Sequence, residues 1–126
     1  PHILFKYHAM LTIYHYPKCK TSRSGLNYLE TITKEFQTRL FHTEPLTEKE
    51  IEKLLQKLNI EPQELVRKND PYFKQRLKGL SFNRQEWIKI LAQQPSLIRR
   101  PIIESEYKAV IGDHLENIDL IIGNNK

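Results

Sequence analysis

The chain carries one cysteine, Cys19, inside the stretch IYHYPKCKTSRSGL that runs from Ile13 to Leu26. A thiol is reactive as its thiolate, and a free cysteine near pKa ~8.5 is mostly protonated at neutral pH. The setting of Cys19 favours the thiolate. It follows a short apolar run and precedes a segment with a helical pattern, so it stands at an expected helix start, where free N–H groups and the helix dipole favour negative charge. Lys18, Lys20 and Arg23 add positive charge nearby in sequence, and His15 lies four residues upstream. The alternative is a buried structural cysteine, and the charged and polar flanks Lys18, Lys20, Thr21 and Ser22 argue against it.

Spacing narrows the chemistry. A Cys-x-x-Cys pair carries its own resolving thiol, but here the fourth position is Ser22. A tyrosine-phosphatase loop needs an arginine six residues after its cysteine to clamp phosphate, and that position is Gly25. A zinc site needs more soft ligands than one cysteine supplies, so no metal is expected. What remains is a lone nucleophilic thiol at an anion-friendly helix start. It could attack an oxyanion centre or a mixed disulfide, and an external thiol would then regenerate it.

The elements that must position this thiol follow from periodicity. Leu11 to Tyr16 is rich in β-branched and aromatic residues and stops at Pro17, which predicts a strand. A helix is expected from about Thr21 to Lys34, then a strand over Gln37 to Phe41. Thr47 to Leu58 is the clearest helix. Thr47 and Glu50 have capping-box spacing, and Ile51, Leu54, Leu55 and Leu58 make one apolar face. Short helices are expected over Glu61 to Lys68, with Pro62 in the first turn, and over Pro71 to Lys78, ending at Gly79. Asn83 to Gln94 repeats the capping spacing with Glu86. Strands follow over Arg100 to Ile103 and Lys108 to Gly112, joined by a turn at Glu104 to Glu106. Asp113 and Glu116 are placed to cap a last helix through Ile122. The order is β-α-β, a helical stretch, then β-β-α. It predicts an α/β fold: a thioredoxin-like mixed four-stranded sheet with a helical insertion between its two halves.

Size and composition agree with one domain. The 126 residues suffice for a single core. One cysteine cannot form an internal disulfide, and no segment has the length and apolarity of a membrane span. A cytoplasmic protein that neither enters a membrane nor binds nucleic acid directly is therefore expected. The net charge of +5 is spread without a basic run. Residues 1–9 precede Met10 and read as vector-derived residues or an upstream extension, with residues 10–126 as the single domain.

Three segments together resemble the glutaredoxin-coupled arsenate reductase family, which includes the Spx-type regulators. They are IYHYPKCKTSR around Cys19, ELVRKNDPY from Glu64 to Tyr72, and PSLIRRPII from Pro95 to Ile103. The likeness in order and spacing extends over nearly all of Met10 to Ile122. It implies that Cys19 is the nucleophile and His15 the histidine linked to its lowered pKa. It also implies that Arg67 and Arg100 hold an oxyanion, as bidentate guanidinium groups can. The turn Thr21-Ser22-Arg23 would help cradle that anion at the helix start, and Pro101 would be the proline that is cis beside the thiol. The arsenate-reducing members carry a third arginine about nine residues after that proline. Here the count falls on Val110, with Lys108 the nearest cation. The resemblance further implies glutathione as co-substrate, no bound cofactor, and glutaredoxin or a similar thiol donor as partner. Three functions stay open: arsenate reduction, glutathione-dependent reduction of mixed disulfides, and Spx-like regulation through RNA polymerase. Spx relatives commonly use a Cys-x-x-Cys switch, which Ser22 removes.

Overall fold

A computed structural model describes residues 11–123; the expected extension at residues 1–9 lies outside the described residues. Strand β1 (Leu11–His15) is buried along nearly its whole length, which suits the middle of a sheet. It pairs in parallel with β2 (Phe36–Leu40) and antiparallel with β3 (Ile102–Glu104), and β3 pairs antiparallel with β4 (Ala109–Ile111). The order is β2-β1-β3-β4. The parallel pair requires a crossover, and helix α1 (Lys20–Ile32) supplies it.

Because side chains alternate along a strand, the sheet sorts its residues into two cores. One face carries Leu11, Ile13 and Ile103, and meets Leu29 of α1 with Ile118 and Ile121 of α4 (Leu115–Gly123). The other carries Tyr14, Ile102 and Ile111, covered by α2 (Glu48–Leu58) and α3 (Arg84–Gln93) through Ile51, Leu54, Leu55, Trp87, Ile88 and Leu91. Both helices start with the expected capping boxes: Thr47 with Glu50, and Asn83 with Glu86. Among the described residues no helix is long and apolar enough to cross a membrane.

The insertion differs from the sequence expectation in ways that matter at the site. The helix expected over Glu61 to Lys68 is a short 3-10 turn at Pro62–Leu65. Val66 is extended and bridges Ile98. Arg67 N–H donates to the Leu97 carbonyl (2.7 Å), and Arg99 N–H donates to the Leu65 carbonyl (2.9 Å). Arg67 thus sits on paired extended backbone rather than at a helix end. The next segment is a π-helical turn, Phe73–Leu77, followed by Gly79 at φ 84. Glu104 closes β3 instead of opening the turn, and Ser105 N–H donates to the Lys108 carbonyl across that turn (2.8 Å). Asp113 does not cap α4. Its carboxylate is claimed by Arg99 at 2.6 Å.

One glycine is a packing requirement. A Cβ on Gly25, inside α1, would lie 2.5 Å from Cγ of Pro101 and 3.2 Å from the Gly112 carbonyl oxygen. Glycine lets α1 approach the backbone ahead of β3, which brings the start of the helix beside Arg100.

Candidate active site

Cys19 is the N-cap of α1, with extended backbone angles (φ −92, ψ 123). Pro17 ends the strand path, and the loop then tightens: Cys19 N–H donates to the Tyr16 carbonyl (3.0 Å), and the Cys19 carbonyl accepts from Arg23 N–H (3.0 Å). Partial burial pushes the thiol pKa up. The Ser22 backbone N–H, the Arg100 guanidinium and the Thr21 N–H outweigh it, so the net shift is downward. The helix start and one distant arginine therefore favour the thiolate. Lys18 and Lys20 are exposed, and the cation that acts on the sulfur is Arg100.

Arg100 is 6% exposed. Its Nη1 donates to the carbonyls of Ser96 (2.8 Å) and Ile98 (3.1 Å), and its guanidinium carbon lies 3.9 Å from the centre of the Tyr16 ring. Its Nε is buried without a hydrogen-bond partner. Burial lowers its pKa and the neighbouring Cys19 opposes that, while a guanidinium stays charged under any ordinary condition.

Arg67 comes to the same place from the insertion. Its Nη1 donates to the Ser96 carbonyl (2.9 Å) and lies 3.4 Å from Asp70 Oδ2. One backbone carbonyl, that of Ser96, thus accepts from both arginines. Two guanidinium groups held side by side repel each other, and an anion between them relieves the repulsion. Cys19, Thr21, Arg67 and Arg100 line one open cleft of about 530 Å³. Arg99 and Asp113 line it as well.

His15, Ser22 and Arg23 are placed differently. Ser22 is fully buried, and its Oγ accepts from Tyr16 N–H (3.0 Å) and pairs with His15 Nδ1 (2.8 Å). The Ser22 hydroxyl is thus committed inside the loop, while its backbone N–H helps lower the thiol pKa. Burial, then His42 and Arg23, lower the His15 pKa, so the imidazole is neutral at pH 7. His15 meets the site through Ser22. Arg23 is exposed and donates to the Pro17 carbonyl (2.8 Å), bracing the loop from outside. The Arg100–Pro101 peptide bond is cis, and Pro101 is the residue against which Gly25 packs.

Val110 packs with the α1–α4 core. Lys108 is exposed in the β3–β4 turn, beside Glu104, which pairs with Thr12. The cleft lies beyond His15, at the opposite end of the sheet, so Lys108 is remote from it. The residue after β4 that does reach the cleft is Asp113. Sequence reasoning missed Asp113 and Arg99 in the cleft wall, and Tyr16 beneath Arg100. The arginine doublet before Pro101 was a visible signal for Arg99; strand periodicity carries none for Tyr16.

Among the described residues no group of three or more His, Cys, Asp or Glu gathers to hold a metal. The chemistry of the cleft is that of a lowered-pKa thiol beside paired guanidinium groups. Comparison with known proteins leads the same way. The profile of the ArsC family matches residues 14–121. An arsenate reductase of Escherichia coli is 35% identical over 94 residues, which is 74% of this chain and 67% of that protein. The global transcriptional regulator Spx of Lactiplantibacillus plantarum is 30% identical over 112 residues, 86% of this chain and 83% of its own. The solved arsenate reductase of Vibrio cholerae superposes with a TM-score of 0.83 at 28% identity, covering 89% of this chain and 97% of that one.

Proposed function

Because the chain belongs to the ArsC family, we propose that it reduces arsenate, with Cys19 as nucleophile and Arg67 and Arg100 as the oxyanion clamp. The observation that carries this reading is the meeting of Cys19, at the start of α1, with two arginines hung from the Ser96 carbonyl in one cleft.

The chemistry then runs in balanced steps. The Cys19 thiolate attacks arsenic, a sulfur–arsenic bond forms, and one arsenate oxygen leaves as water after protonation. The guanidinium pair and the N–H groups at the start of α1 offset the charge on the remaining oxygens. The thiolate of glutathione attacks the Cys19 sulfur. The sulfur–arsenic bond breaks with its electrons staying on arsenic, which departs as arsenite. Cys19 is left joined to glutathione. Ser22 occupies the place of a resolving thiol, so regeneration requires an outside thiol donor, glutaredoxin or a similar one, acting in the cytoplasm.

The test is coupled turnover: NADPH consumption with glutathione reductase, glutathione and glutaredoxin, with and without arsenate. Arsenate-dependent turnover is expected in the wild type and none in Cys19→Ser. Turnover that survives this substitution would sink the mechanism.

A second reading is favoured by one feature. The cleft of about 530 Å³ has room for far more than a small oxyanion, as a glutathionylated substrate requires. That supports a glutathione-dependent reductase of mixed disulfides, marked by thiol turnover without arsenate. An Spx-like role at RNA polymerase is less favoured, since the Ser22 hydroxyl is buried against His15 and offers no second thiol.

A further inference from the structure

We propose that Tyr16 is the positioning residue of this site: its ring carries the guanidinium of Arg100 and so keeps one edge of that fork available to Cys19 and its substrate.

Three contacts define the pose of Arg100. Its Nη1 end is tied to the Ser96 and Ile98 carbonyls. Its guanidinium carbon sits over the Tyr16 ring, 3.9 Å from the centroid. Its Nε is buried with no hydrogen-bond partner. The carbonyls alone would leave the group free to swing about the Nη1 end, and the ring removes that freedom. An aromatic face attracts a cation through its quadrupole, most strongly where water is excluded.

The ring is itself immobilised. Phe41 packs on it at 5.3 Å and His42 at 5.4 Å, both tilted by 55°. Its backbone belongs to the thiol loop: the Tyr16 carbonyl accepts Cys19 N–H, and Tyr16 N–H donates to Ser22 Oγ. One residue therefore fixes the thiol through its main chain and the cation through its side chain. The other titratable groups near this pair are Arg67, His15 and His42, with Glu64, Lys68, Arg99 and Asp113 in the lining of the cleft. None of them replaces an aromatic surface under Arg100.

The test reads the thiol directly and rests on Cys19 being the reacting group, not on arsenate being the substrate. The rate of Cys19 alkylation by iodoacetamide is followed against pH, and its midpoint reports the thiolate. Tyr16→Phe keeps the ring and should leave the midpoint where it is. Tyr16→Leu should raise it by about one unit, an approximately tenfold loss of alkylation rate below the midpoint. A pentafluorophenylalanine at position 16 keeps the shape but withdraws charge from the face, and should raise the midpoint in the same direction. It serves as the decisive variant if Tyr16→Leu does not fold. In an Arg100→Met background the same changes at 16 should have no further effect. An unchanged midpoint in the fluorinated variant, or an equal shift with and without Arg100, overturns the proposal. Failure of arsenate turnover with these profiles intact would refute the proposed substrate alone.

Discussion

The two faces of the sheet contribute to the site by different routes. On the α1–α4 face the thiol is a local product: a strand, Pro17, a tight loop and a helix start, all within contiguous residues. On the α2–α3 face the cations are a non-local product. Arg67 is placed only because residues 65–67 pair with residues 97–99 across the whole of α3. The comparison teaches that the two halves of the chemistry depend on different parts of the core. The frame of the nucleophile, written into one β-α unit, can persist when the insertion is disturbed, while the part of its activation that comes from Arg100 cannot. The arginine pair depends on the insertion being folded and docked.

Substitutions can break that asymmetry in order of size. Leu91→Ala empties a fully buried position in the α2–α3 core. It should cost about 2–5 kcal/mol in urea denaturation and weaken substrate binding more than Cys19 alkylation. Equal loss of both would mean the faces are not separable. Gly25→Ala forces a methyl group against Pro101 on the other face. It should cost about 1–3 kcal/mol and slow alkylation, because α1 must back away from Arg100. An alanine variant as stable and as reactive as wild type would refute the close-approach argument.

The smallest effect sharpens the comparison at the strand between the faces. His15 is buried and its pKa is lowered. The unfolded chain, with histidine near pKa ~6.5, therefore binds more protons than the folded one just below that pH. Stability from neutral His15 is present above about pH 6.5 and lost as pH falls through that window toward the folded pKa. His15→Asn should flatten the fall of melting temperature between pH 7 and pH 5 relative to wild type. Identical slopes would remove His15 from the acid sensitivity.

Much of this was legible in the sequence, for physical reasons. Strand alternation, the capping boxes at Thr47 and Asn83, and the breaks at Pro17 and Pro95 act locally and can be read locally. They gave the element order and hence the sheet. The helix expected over Glu61 to Lys68 failed because Pro62 and the Glu61–Glu64 cap do start a turn, but pairing with the 97–99 segment then pulls the chain straight. Asp113 looked like a cap because its spacing to Glu116 is right, and Arg99 outcompetes the helix start for it. Tyr16 was passed over because its partner Arg100 is distant in sequence, and no period encodes a face-on contact. The lowered thiol pKa was expected from sequence neighbours, yet it arises from the helix start and a remote guanidinium.

The shared carbonyl of Ser96 has a consequence for robustness. Arg67 and Arg100 hang from one oxygen atom, in the short turn Pro95–Leu97. Arg67 arrives from the insertion and Arg100 from the segment before β3, yet loss of that one turn would take a hydrogen-bond acceptor from both guanidinium groups at once. The two positive charges of the cleft therefore share a single point of failure.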